Sequence, residues 1–395
     1  MKKIMGYRRE DGKFGLRNKV IIIPSVHCAN KVCENIARKC NGAVYINHQH
    51  GCSQLEFDAL QTRDVLIGHG SNANVFGVLI IGLGCEVIQA KAVAEKIKEA
   101  TPYKKVEYLV IQECGGSKNT IENGIKIVNE MLESAAKLQK SEGDFSDLIL
   151  GTECGGSDSY SGLSANPALG SLSDFVIDEG GAVILAETTE LIGCEAILIG
   201  CEAILAKRAK NDEIAKKVYD KILAYENLVK SFHADIRGAN PSPGNMAGGL
   251  STIEEKSLGC VYKAGTKTLM DVIDYAKPVV SKGLTFMNTP GNDIEQLSAM
   301  VAGGANICVF TTGRGTPTGS AIVPTIKMSS NTFCYENMND AIDINAGSII
   351  DGVKTKEEVR DELIELIVRI SDGELVKAEL NEQNDFSVWR LATTC

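Results

Sequence analysis

The chain has 395 residues, too many for one ordinary hydrophobic core, so two or three modules are expected. Its 44% hydrophobic and 23% charged residues describe a globular protein, and 41 basic against 51 acidic residues leave a net charge of -10, which argues against a nucleic-acid surface or an anionic membrane as partner. No apolar run approaches the roughly 20 residues of a membrane span, and the start MKKIMGYRREDGKFG has no apolar h-region, so a cytoplasmic location is expected.

In chain order, KVIIIPS, GAVYINH, GVLIIGL and KVEYLVIQE are short β-branched runs that predict strands. Between and after them CANKVCENIARKC, SQLEFDALQTRDVLIG, EVIQAKAVAEKIKEA and NTIENGIKIVNEMLESAAKL carry the three-to-four spacing of amphipathic helices. Strand-helix units in succession predict an α/β fold with doubly wound, mostly parallel, Rossmann-like sheets, because parallel neighbours need crossovers. Residues 1–138 form the first module, and the polar stretch KLQKSEGDFS is the boundary. Residues 146–395 form a second α/β region, with a further division expected near 237–250, where RGANPSPGNMAGGL reads as a loop. The tandem heptad GCEAILI-GCEAILA, Gly193 to Ala206, spans nearly two helical turns per repeat and reads as added helix, so Cys194 and Cys201 receive no chemical role.

Thirteen cysteines, an odd number spread along the chain, do not predict a disulfide framework. Four of them, Cys52, Cys85, Cys114 and Cys154, fall where an apolar run stops and a glycine turn begins. At the carboxyl ends of parallel strands such residues border the ligand crevice. Convergence of Cys52, Cys85 and Cys154 would suit iron, either as a single ion or as a cluster with an open position, since no CxxC pair offers a closed zinc site. Of five histidines, His48, His50 and His69 lie near these turns, with His48 a ligand or proton carrier; His27 and His233 offer nothing further. In TECGGSDSYSGLSANP, Ser157, Asp158, Ser161, Ser164 and Asn166 can hydrogen-bond the hydroxyls of one ligand, although caps and turns use the same residue types. Arg314 in FTTGRGTPTG can clamp a carboxylate, with Lys207, Arg208 and Lys327 weaker candidates. A dinucleotide site is disfavoured because IIIPSVHCAN, after the first strand, contains no glycine.

Taken together, GYRREDGKFGLRN, HQHGC, GLGCE, ECGGSDSYSGLSANPALG, NPSPGN, EKSLG, VAGGAN, FTTGRGTPTG, IKM and DINAG resemble the altronate/galactarate dehydratase family along nearly the whole chain. The resemblance implies an iron-dependent hydro-lyase that turns an aldonate or aldarate into a 2-keto-3-deoxy acid. It implies Cys52, Cys85 and Cys154 as iron ligands, His48 as base or ligand, Glu86 and Asp158 as further catalytic groups, and Ser157, Asn166, Arg314 and Lys327 at the substrate. The small N-terminal domain of full-length galactarate dehydratases has no counterpart here, so a separate small subunit is an expected partner, beside the sugar acid itself and further copies of the chain in a homo-oligomer. Cys114 and the duplicated heptad depart from the family pattern. A sulfolactate sulfo-lyase large subunit and a non-catalytic sugar-acid binding protein are the alternative readings.

Overall fold

The computed structural model describes residues 2–192 and 201–395. Its fourteen strands among those residues are β1 (Lys3–Arg8), β2 (Phe14–Gly15), β3 (Lys19–Pro24), β4 (Ala43–Tyr45), β5 (Val75–Gly82), β6 (Lys105–Val110), β7 (Ser141–Asp144), β8 (Ile149–Cys154), β9 (Ala182–Leu185), β10 (Leu269–Ile273), β11 (Gly283–Met287), β12 (Ile307–Thr312), β13 (Thr325–Ser329) and β14 (Ile344–Asn345). They form two parallel sheets, ordered β4-β3-β5-β6 and β10-β11-β9-β8-β12-β13-β14, and a small antiparallel sheet, β2-β1-β7.

In the four-stranded sheet the aliphatic runs of β3 and β5 are buried on both faces, as central parallel strands require. Alternation assigns the residues: Val20, Ile22, Leu79 and Ile81 pack on one face with Val32, Ile36, Val128 and Met131 from helices Asn30–Ala37 and Ser117–Ala135. Ile21, Ile23, Val78 and Ile80 face helices Glu56–Ser71 and Ala90–Ala100, and that core continues without a break into Met300 and Val301 of helix Asp293–Ala302. The junction is close. A Cβ on Gly68 would lie 2.5 Å from the Ala302 carbonyl oxygen, so only glycine lets the two helices meet this way.

The seven-stranded sheet starts at β8, runs through β9, β10 and β11 on one side, then returns past β8 to β12, β13 and β14. The winding direction changes between β8 and β12, which makes their carboxyl ends the expected ligand crevice. Strands β10 to β14 hydrogen-bond into the same sheet as β8 and β9, on both sides of the stretch 237–250. That stretch contains a short helix, Pro243–Ala247, capped by Ser242. Of the tandem heptad, Cys201–Ala206 is helical; 193–200 lie outside the described residues.

Strands β1, β2 and β7 carry no long alternating pattern, and the boundary stretch KLQKSEGDFS in fact supplies β7. The resulting ribbon ties the chain start to the second region, with Arg17 and Glu379 in a buried pair at 2.7 Å. Three buried amides seal the same seam: Asn72 donates to the Val301 and Ala305 carbonyls, Asn74 donates to that of Asn306, and Asn306 donates to those of Phe14 and Asp147. Asn74 also accepts from the Leu16 and Arg17 N–H groups at 2.8 and 3.2 Å. Asn74→Ala leaves these three backbone groups unpaired and is expected to lower unfolding free energy by about 3 kcal/mol in urea titration.

Candidate active site at the carboxyl edges of the two sheets

Cys154 closes β8, and its sulfur is the hub of a fully enclosed polar cluster. The Cys154 Sγ lies 3.3 Å from Glu187, 3.2 Å from Glu190 and 3.6 Å from the Cys260 sulfur. Lys263 donates to that sulfur at 2.9 Å and pairs with Glu187, while Lys256 pairs with Glu190 at 2.7 Å. Strand ends and short helical turns deliver each group: Glu187 follows β9 in a left-handed conformation, φ 74°, with its N–H bonded to the Thr289 hydroxyl. Cys260 ends helix Ile253–Val261, and Lys263 lies in the turn after it.

Burial pushes all these groups toward their neutral forms, and the two ammonium groups decide which resist. Burial raises the Cys154 thiol, but its hydrogen bond with Cys260 and the Lys263 charge outweigh it, so the net shift is downward. Glu190 is likewise brought down to about 2 against its burial, by Lys256 and Lys263. Burial, then the charges of Cys154 and Glu190, hold Glu187 well above the carboxylate range. Glu153, whose carboxyl oxygens have no partner, is raised by burial and then by Glu187. Asp293 closes the cluster toward the first sheet; burial and then Glu190 raise it to about 6. Glu190 thus faces Lys256 and Lys263, and the Cys154 thiol shares the Lys263 ammonium with Glu187.

Two clefts open beside this cluster at the edge of the seven-stranded sheet. One of about 220 Å³ is lined by Ser157, Asp158, Asn166 and Lys256, and one of about 510 Å³ by Asp158, Arg314 and Asn331. Asp158 is held between them by the hydroxyls of Ser161 and Ser330 and by the Asn331 amide. The buried Ser157 hydroxyl has no partner, and Arg314 is exposed. Asn166 bridges Gly259 and Thr311, an architectural placement. Ser164 bonds backbone carbonyls. Lys327 is enclosed, donates to the Thr318 carbonyl and is lowered to about 8 by burial against Asp343 and Asp385. Arg208 donates to the carbonyls of Ala264 and Lys267.

A third cleft, about 530 Å³, opens at the carboxyl edge of the four-stranded sheet and is lined by His27, His48, His50, Glu295, Val388 and Arg390. Glu295 comes from the same helix as Asp293, so one helix start separates this cleft from the buried cluster. His48 is committed internally: its Nε2 donates to the Pro24 carbonyl at 2.7 Å and its Nδ1 accepts the His50 N–H at 3.1 Å. Burial lowers it to about 4, so it stays neutral. His50 differs. Its Nε2 donates to the Val388 carbonyl, and its Nδ1 is left without a partner. Glu86 accepts from the Gly84 N–H and the Ser25 hydroxyl, bracing the GLGCE turn. Cys52 and Cys85 are exposed on neighbouring turns joined by the Val87 and Ile88 N–H groups donating to the Gly51 carbonyl.

The structure thus brings the Cys52 and Cys85 turns together but puts Cys154 in a different set. Among the described residues, Cys154, Glu187, Glu190 and Cys260 form the one group of ligand-type atoms lying within 4.8 Å of one another. Sequence reasoning missed Glu187, Glu190, Cys260, Lys263 and Asp293, because each follows a strand or turn that carries no motif of its own. The EKSLG segment, which supplies Lys256 and runs directly into Cys260, was the available signal. Cys114, at the end of β6, is half-buried and makes no side-chain bond to the site.

Lys263→Met would strand Cys154 and Glu187 without their shared cation, and a loss of about 3–5 kcal/mol in chemical unfolding is expected. Acid sensitivity has a separate source in His69, buried against Phe386 and lowered to about 4 by burial. Its folded value lies below its unfolded one, so the stability it contributes is complete above about pH 6.5 and is lost as pH falls toward 4. The loss between pH 6.5 and 5 is about 1.5 kcal/mol. Urea midpoints of His69→Gln should show a correspondingly shallower fall than the parent chain.

Two family models cover the chain. The C-terminal domain of D-galactarate/altronate dehydratase matches residues 145–394, and the second domain of D-galactarate dehydratase/altronate hydrolase matches residues 6–136. The altronate dehydratase of Bacillus subtilis is 36% identical over 98% of this chain and 78% of its own length, and that of Escherichia coli is 36% identical over 98% and 76%. The (2R)-sulfolactate sulfo-lyase subunit beta of Chromohalobacter salexigens is 32% identical over 98% of this chain and 97% of its own. With matches of this extent, the chain belongs to the D-galactarate/altronate dehydratase family.

Proposed function

We propose that the protein is a hydro-lyase that dehydrates a sugar acid, an aldonate or aldarate such as altronate or galactarate, to the 2-keto-3-deoxy acid, with iron required. Family membership supports the reaction class. The observation that carries the site is His50, which lines a polar cleft with Arg390 and whose buried Nδ1 has no hydrogen-bond partner in the fold. Dehydration breaks a C–H bond beside the carboxylate and the C–O bond on the next carbon; water leaves, and the enol formed tautomerises to the ketone. The His50 ring, with its proton on Nε2 held by Val388, has its free lone pair for the first proton. Burial is the main cause lowering its pKa, so it is in the basic form at neutral pH. Arg390 spends its Nε on the Ala392 carbonyl, which orients the guanidinium and leaves its terminal nitrogens for the substrate carboxylate. His48 positions His50, and Glu86 positions the Cys85 turn.

The residues present suit iron in two places. Cys154, Glu187, Glu190 and Cys260 offer soft and hard donors at ligand spacing, yet Lys256 and Lys263 already neutralise them and these four side chains line none of the clefts. A metal that touches substrate needs an open position, which the exposed thiols of Cys52 and Cys85, on adjoining turns, can offer and the enclosed set cannot. When bound, iron supplies Lewis-acid stabilisation of the enediolate and of the departing hydroxyl.

A second reading, elimination of the sulfonate of a sulfolactate, is favoured by one observation: the matched sulfo-lyase subunit is covered over 97% of its length. The same match supports a separate small partner subunit. Incubating the anaerobic protein, with iron and with a small subunit, against aldonates, aldarates and sulfolactate tests both. Keto-acid formation from a sugar acid is expected, whereas sulfite release with no sugar-acid turnover selects the second reading. His50→Gln should lower kcat by about 10²–10⁴-fold. The acid limb of kcat/KM should fall below the usual histidine range, in keeping with the downward shift at His50.

A further inference from the structure

We propose that Glu295 sets the substrate class of the histidine cleft: its carboxylate accepts the terminal hydroxyl of an aldonate and turns away the second carboxylate of an aldarate. The inference rests on the reading of that cleft as the dehydratase site and narrows it from sugar acids in general to monocarboxylates. It starts from a count of charge. Among the described residues the cleft lining carries one guanidinium, Arg390, and one carboxyl, Glu295; its other polar side chains are histidines, amides and a hydroxyl, with Asn47 and Gln49 exposed. A single cation clamps a single carboxylate. The cleft, about 530 Å³, is of the size that encloses a small ligand whole, so both ends of a sugar acid meet its walls.

Three hydrogen bonds fix Glu295 relative to the proposed base. The His50 Nε2 donates to the Val388 carbonyl at 3.2 Å, the Trp389 N–H donates to the Tyr275 hydroxyl at 3.2 Å, and that hydroxyl donates to the Glu295 carbonyl at 2.8 Å. Tyr275 is buried, and its ring edge meets Trp389 at 5.6 Å. On the other side the Glu295 N–H donates to the side chain of Asn292, the cap of helix Asp293–Ala302. The same tail carries Arg390, so base, clamp and acidic group belong to one hydrogen-bonded frame. The backbone of Glu295 is committed in this way and its half-buried side chain is not. Burial, unopposed by any cation among the described residues, raises its carboxyl from the ordinary value, so it stands apart from Arg390 and the two mark different parts of the cleft.

The two substrate classes differ only at the end remote from the reaction. With the reacting carboxylate on Arg390 and the neighbouring C–H at His50, an aldonate presents a terminal hydroxyl and an aldarate a second carboxylate. The hydroxyl can donate to Glu295 in a charge-assisted hydrogen bond. The carboxylate finds no donor there and meets a like charge, an arrangement that selects against the wrong partner. The positive end of helix Asp293–Ala302 would otherwise welcome an anion, but Asp293 and Glu295 already occupy its first turn. Lys256 and Arg314, cations that could hold a second carboxylate, line the clefts of the other sheet edge.

Initial rates of keto-acid formation, measured anaerobically with iron and the small subunit present, test this with an aldonate and an aldarate of the same configuration at every shared carbon. The parent chain should favour the aldonate by about 10²–10³-fold in kcat/KM. Glu295→Gln should move the two acids in opposite directions, lowering kcat/KM on the aldonate by about 10-fold and raising it on the aldarate by about 10-fold. A merely structural role would lower both together. Equal use of the two acids by the parent, a preference for the aldarate, or an unchanged ratio in Glu295→Gln overturns the proposal, and the parent's own ratio decides if the variant does not fold. The functional reading fails separately: a chain that dehydrates neither acid loses the reaction, and calorimetric titration with the same two acids then reads the discrimination directly. Tighter binding of the aldonate upholds it; equal, weaker or absent binding overturns it.

Discussion

Everything at the site depends on one helix contact. Gly68 of Glu56–Ser71 lies against Ala302 of Asp293–Ala302, and this side-by-side packing joins the core of the four-stranded sheet to that of the seven-stranded one. The start of the second helix then carries Asp293 to the buried cluster and Glu295 to the histidine cleft. A larger residue at position 68 would separate the helices and with them both carboxyl edges. The buried amides of Asn72, Asn74 and Asn306 hold the seam in register, because a displaced interface would leave their donors and acceptors dry and unpaired.

The Cys154 cluster is a different kind of device. Two thiols, two ammonium groups and several carboxyl groups share an enclosed volume, where desolvation is costly and only mutual pairing offsets it. Its members arrive from the ends of β8 and β9 and from the segment 256–263, so the pairing fixes those three strands of chain relative to one another. This positions the floor on which the Ser157–Asp158 turn rests. The open edge of the other sheet has the opposite character, with histidines and an arginine lining a polar cleft and the thiols of Cys52 and Cys85 exposed on adjoining turns.

Strands β3 and β5 and helices Ala90–Ala100 and Ser117–Ala135 were legible because each strand is a continuous aliphatic run and each helix has a clear apolar face. The ribbon of β1, β2 and β7 was not, since KIMGYR, FG and SEGD carry no pattern apart from the partner each one finds. That β10 to β14 join the sheet of β8 and β9 was equally hidden, because the loop-like composition of 237–250 says nothing of where the chain goes next and only strand pairing shows it.

By itself the sequence determined the parallel α/β class, the placing of Cys85 just past β5 and of Cys154 at the end of β8, and through its motifs the family. Those follow from local periodicity and from residues that lie together in the chain. Which thiols share a site was decided only in three dimensions. Cys154 is claimed by carboxylates and lysines drawn from positions 187 to 263, while the Cys52 turn is met by the far terminus of the chain. Long-range backbone hydrogen bonds and burial set those partnerships, and neither leaves a mark in the spacing of residues along the sequence.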